Sequence, residues 1–69
     1  MPNIIRLEGK NQIDYINIDH IALIERPSKE SKVKMGWPDE TCVIVYFIGG
    51  KSIPLDIECW LRLAERLEV

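Results

Sequence analysis

Thr41-Cys42-Val43-Ile44-Val45-Tyr46-Phe47-Ile48-Gly49-Gly50 is the stretch that decides how this chain folds. Its first eight residues carry no charge and do not alternate, and most are β-branched or aromatic. Such a run is a strand that is apolar on both faces, and it needs cover on two sides or a subunit interface. Gly49-Gly50 then reads as a two-residue hairpin turn, because positive φ at both positions is free of strain only for glycine. The chain returns as a further strand over 51–55, and Pro54, which lacks an N–H, places that strand at a sheet edge.

Downstream of this hairpin, 56–68 reads as a helix. Asp56 sits at the N-cap position, Glu58 adds negative charge in the first turn, and Glu58 and Arg62 form an i, i+4 pair in the favourable order. Ile57, Trp60, Leu61, Leu63, Ala64 and Leu67 fall within an arc of about 160°, and Cys59 widens it. A stripe that wide covers a sheet on one side and leaves an apolar edge over.

Upstream, 3–8 reads as a strand with Ile5 and Leu7 on one face and Ile4 and Arg6 on the other. A turn at Gly9 leads to a second strand, 12–17, in which Ile13 and Tyr15 alternate with Asp14 and Ile16. Asn17-Ile18-Asp19-His20 reads as a single turn, possible in 3₁₀ form, because Asn and Asp side chains bond nearby backbone N–H groups. A third strand, 20–26, sets Ile21 and Leu23 on one face and Ala22 and Ile24 on the other. Residues 27–40 read as a long loop, of which 32–37 has some strand alternation. Pro27 stops the preceding ladder, and loops of this length are often functional or mobile.

Length and composition agree with this layout. The chain has 69 residues, 46% of them hydrophobic, with eleven Ile and four Val, which points to one globular, sheet-rich domain over 1–69. The expected fold class is α+β, mainly β: a five-stranded antiparallel meander or a small barrel with one C-terminal helix. Nine basic against eleven acidic residues give a net charge of -2, which removes the simplest electrostatic argument for nucleic acid. Residues 1–35 carry +1 and residues 36–69 carry -3, the mark of a solvated acidic helix. No apolar run is long enough to span a bilayer, and residues 1–10 lack the basic-then-apolar design of a leader, so a cytoplasmic location is expected.

Little catalytic chemistry is legible. His20 is the sole histidine, and its neighbour Asp19 points to the opposite face if the backbone there is extended. Cys42 and Cys59 lie 17 residues apart, without the paired spacing of a zinc site, and read as packed thiols. No glycine-rich phosphate loop precedes a helix. No catalytic residue, metal or cofactor is therefore assigned. Trp37 has a better claim as a binding residue, since Gly36 and Pro38 flank it and Lys29, Lys32, Lys34 and Met35 share its loop. A Trp among cations stacks on bases or on peptides; the competing reading folds Trp37 back as a plug for the core.

The order of elements resembles the small FlbD/SwrD family of flagella-associated bacterial proteins. The matching pieces are Ile5-Arg6-Leu7-Glu8-Gly9-Lys10, Ile18-Asp19-His20-Ile21-Ala22-Leu23-Ile24-Glu25, residues 43–51 and the terminal helix. The chain departs from that pattern in 27–40 and in having Gly49-Gly50 where the family usually has Asn-Gly. The resemblance implies the fold above and a non-enzymatic accessory role.

The expectation for function follows from surplus apolar surface. One helix cannot cover both faces of 41–48, and small domains are often stabilised by association. Either the sheet curls into a barrel or, the favoured arrangement, two sheets meet across a two-fold axis, with Tyr46, Phe47, Trp60, Leu63 and Leu67 at the interface. The chain is then a non-catalytic binding or regulatory module of bacterial or phage type. It acts as a homo-oligomer, a dimer or higher, and engages a protein partner or a small ligand at a subunit interface, as an accessory factor, inhibitor or sponge. The alternative is a small nucleic-acid-binding β protein using the Lys29–Trp37 loop.

Overall fold

The computed structural model describes residues 3–69; Met1 and Pro2, which begin the stretch searched for a leader, lie outside it. Five antiparallel strands form two sheets. β1 (Ile4–Glu8) pairs with β2 (Ile13–Asn17), and β3 (Ile21–Glu25), β4 (Val43–Phe47) and β5 (Ser52–Leu55) form a second sheet in that order. One turn of 3₁₀ helix, Ile18–His20, links β2 to β3, with the Asn17 side chain accepting the Asp19 N–H at 3.0 Å. A short helix α1 (Lys29–Met35) lies between β3 and β4, and α2 (Ile57–Leu67) ends the fold. The two sheets do not join into a closed barrel.

The core forms where the sheets and α2 face each other. Ile5, Leu7 and Ile16 come from the first sheet, Val43, Val45 and Leu55 from the second, and Cys59 and Leu63 from α2. Each large side chain sealed here contributes roughly 1.5–3 kcal/mol. The strand β4 lies centrally, as its two-faced composition requires, and Gly49 and Gly50 close the β4–β5 hairpin with φ of 105° and 93°.

Four expectations need correction. Residues 27–40 are not a plain loop: Ser28 Oγ accepts the Ser31 N–H at 3.1 Å and starts α1, and Gly36 ends it in the left-handed conformation. The strand entertained over 32–37 is absent. Ile21 and Leu23 do not share a face, because a bulge sets Ile21 opposite Phe47 but Leu23 opposite Tyr46. Ile21 and Ile24 accordingly pack on the core, while Leu23 is exposed. Leu63 is not at an interface, since it is fully buried within the chain's own core.

The second face of β4 is also covered internally. Ile44 points away from Val43 and Val45, yet it is only 1% exposed. Its register partners are Glu25 and Pro54. The β3–β4 connection leaves the sheet at Glu25 and returns at Val43, carrying buried Pro27 and half-buried Trp37, and Pro38 lines a cleft with Pro54.

Candidate functional site

The ladder geometry of each sheet decides which backbone groups are left open. In β1–β2, Gly9 N–H bonds Gln12 O and Ile18 N–H bonds Asn3 O. Antiparallel pairs alternate between bonded and non-bonded, so residues 12, 14, 16 and 18 use their backbone groups on β1. Those of Ile13, Tyr15 and Asn17 point to the other side. In β4–β5, Phe47 N–H bonds Lys51 O, which by the same alternation turns the groups of Ser52 and Pro54 away from β4. The Gln12–Pro54 hydrogen bond and a groove lined by residues of both β2 and β5 place these free edges along a common seam.

One end of that seam is latched. Gln12 donates from Nε2 to Pro54 O at 3.1 Å and to Asp14 Oδ2 at 2.7 Å, and its Oε1 accepts the Asp56 N–H at 3.2 Å. Asp56 in turn holds two elements with one carboxylate: Oδ1 caps α2 by accepting the Cys59 N–H at 2.9 Å, and Oδ2 accepts the Lys10 N–H at 3.0 Å. Gly9 makes this approach possible, since a Cβ there would overlap the Asp56 carboxylate. Burial pushes the Asp56 carboxyl up, but the N–H groups of Cys59 and Lys10 outweigh it and hold the group below the usual carboxylate range.

The other end is open. Asp14, Ile16, His20, Phe47, Lys51 and Ile53 are among the residues lining a groove of about 370 Å³ there. Tyr15 and Ile48 rise at its rim, 70% and 69% exposed. The floor is apolar, and Lys51 and His20 bring the basic groups.

The residues singled out for binding scatter instead of converging. Lys29 and Lys34 are exposed on α1, whereas Lys32 Nζ is spent on Asp39 O at 3.0 Å. Met35 is exposed, and Trp37 is half-buried in the connection. Among the residues named for an interface, Phe47, Trp60 and Leu67 are half-buried and pack on the core of their own chain. Tyr46 lies on the opposite face and donates its hydroxyl to Glu25 Oε1 at 3.1 Å. The edge left over on α2 is Ile57 and Leu61, both more than half exposed.

Asp19 and His20 are both exposed. Both cysteines are free, and burial first, then the Asp56 charge, pushes the Cys59 thiol up to about 12, so it stays protonated at neutral pH. No group of side chains suited to a metal ion occurs among the described residues, and no helix among them is long and apolar enough to cross a membrane. Gln12, Asp14 and Lys51 were missed as site residues by sequence reasoning. The alternation of 12–17 separates its faces but does not say which distant strand borders its edge.

No protein-family model, curated protein or solved structure matches the chain.

Proposed function

We propose that the chain is a non-catalytic binding or regulatory module, cytoplasmic, that acts as a homo-oligomer and engages a protein partner in the manner of an accessory factor or inhibitor. The observation that carries the reading is the apolar ridge of α2. Ile57 and Leu61 stand one turn apart, 53% and 59% exposed, beside half-buried Trp60, on a helix whose opposite face is sealed in the core. Adjacent exposed aliphatics on a helix support self-association more than isolated ones do. The resemblance to the flagella-associated family supports the same accessory role. Nucleic-acid binding through Lys29, Lys32, Lys34 and Trp37 draws less support, because Lys32 is engaged and Trp37 is partly packed away.

Sedimentation at micromolar concentration tests the oligomer. The expected result is a dimer or larger species that Leu61→Asp converts to monomer. An 8.0 kDa monomer throughout would sink the homo-oligomer.

A further inference from the structure

We infer that the open end of the β2–β5 seam takes an extended peptide segment of a partner protein as an added strand. The inference deepens the binding-module reading and rests on it, but it is independent of the α2 ridge.

The argument starts from Gln12. A residue of a strand lying parallel to β5 and opposite Leu55 would donate its N–H to Pro54 O and accept the Asp56 N–H. The Gln12 side-chain amide makes both of these bonds, at 3.1 Å and 3.2 Å. It thus occupies the place of one peptide unit on the free edge of β5. Because a side chain carries a single amide, the substitution stops there. Further along, the outward backbone groups of Ser52 on β5 and of Ile13 and Tyr15 on β2 have no backbone partner among the described residues. Unpaired donors and acceptors on strand edges are templates for another chain.

The open stretch carries neither a proline nor a bulge, two of the devices that blunt an edge. Pro54, the one proline of β5, lies at the latched end, and no bulge interrupts β2. Below the open edges the groove floor is Ile16, Phe47 and Ile53, which suits an apolar side chain pointing inward. Lys51 and His20 stand at the end away from Gln12, so the segment carries an acidic residue there. Asp14, the acidic residue of the lining, keeps its charge and is tied to Gln12 Nε2 at the latched end.

The experiment selects ten-residue peptides from a random displayed library on the full chain and measures the best binder by fluorescence anisotropy. It then repeats the measurement with backbone N-methyl groups placed at alternate residues of that peptide. The expected binder has an apolar residue followed by an acidic one. Methylation in one of the two alternating registers weakens it at least about tenfold, through lost main-chain bonds, while the other register leaves it unchanged. Lys51→Glu weakens it as well. Tyr15→Pro removes one outward N–H without touching the β1–β2 ladder and has the same effect, with folding checked by circular dichroism. The methylated peptides use the unaltered protein, so the test survives if that variant does not fold.

Equal tolerance of both methylation registers overturns the inference, as does no binder tighter than about 100 µM. Self-association that Tyr15→Pro abolishes and Leu61→Asp spares also overturns it, by placing a second copy in the seam. An oligomer lost with Leu61→Asp alongside no peptide binding removes the seam and keeps the homo-oligomeric reading. A monomer without peptide binding removes both.

Discussion

The two ends of the β2–β5 seam are built from the same strands and meet opposite fates. At one end, the Gln12 amide and the Asp56 carboxylate satisfy backbone groups of both sheets and of α2. At the other, a Tyr and an Ile stand in solvent over strand edges that nothing in the described chain pairs. The difference is one of side-chain length and placement. A Gln at the start of β2 reaches β5, and from Ile13 onward the alternation sends each side chain either into the core or out to solvent. Joining two sheets by side chains instead of a shared ladder leaves part of the junction free for another molecule.

The comparison breaks most severely at Gly9. Gly9→Ala would drive a Cβ into the Asp56 carboxylate, displacing both the α2 cap and the Lys10 contact. A loss of about 3 kcal/mol is expected from overpacking and decapping together, measured by urea unfolding. Asp56→Ala should cost about 2 kcal/mol, as it removes the N-cap and leaves the Lys10 N–H without its acceptor. The Gly9→Ala/Asp56→Ala double variant should lose less than the sum of the two, because the collision disappears with the carboxylate. Additive losses would show that Gly9 serves the turn and not the latch.

Asp56 also sets an acid limit. Its folded carboxyl lies below the ordinary value, so its stabilisation is fully present above the unfolded pKa of about 3.9 and fades as pH falls through the folded value. Unfolding curves between pH 6 and about 2 should show this loss in the parent and less of it in Asp56→Asn. An identical slope in both would deny Asp56 that role. Gln12→Ala should cost about 1 kcal/mol, since the latch loses one side chain while the ladder stays.

The open end should be nearly silent in stability. Tyr15→Ser and Ile48→Ser should each change it by less than about 0.5 kcal/mol, as exposed positions do. A loss as large as that of Gln12→Ala would mean that the groove is packed in solution and that the contrast between the two ends is false.

Much of the fold was legible in the residues. Ile5 and Leu7 share the buried face of β1, Asp56 caps α2, and the two-faced run of β4 lies at the centre of its sheet. The α2 stripe, too wide for one contact, left Ile57 and Leu61 outside as its breadth implied. The helix α1 escaped because Pro27, Gly36 and Pro38 dominated that stretch. The signal was Ser28 before it and Gly36 after it, a pair that brackets a seven-residue helix. The bulge in β3 escaped for a different reason: a run apolar at 21, 23 and 24 fits either face equally well.

What the sequence determined by itself is what depends on near neighbours. Periodicity, turn glycines and a capping carboxylate act within a few residues, where chain geometry limits the choices. The tertiary structure alone decided that five strands divide into two sheets, that Gln12 reaches across 42 residues to Pro54, and that Gly9 must lack a side chain for the sake of Asp56. These depend on which surfaces meet, and burial free energy follows area and fit without regard to separation along the chain. The seam is a product of that second kind. Each of its edges is an ordinary strand in the sequence, and it becomes a groove because packing set β2 beside β5 without pairing them.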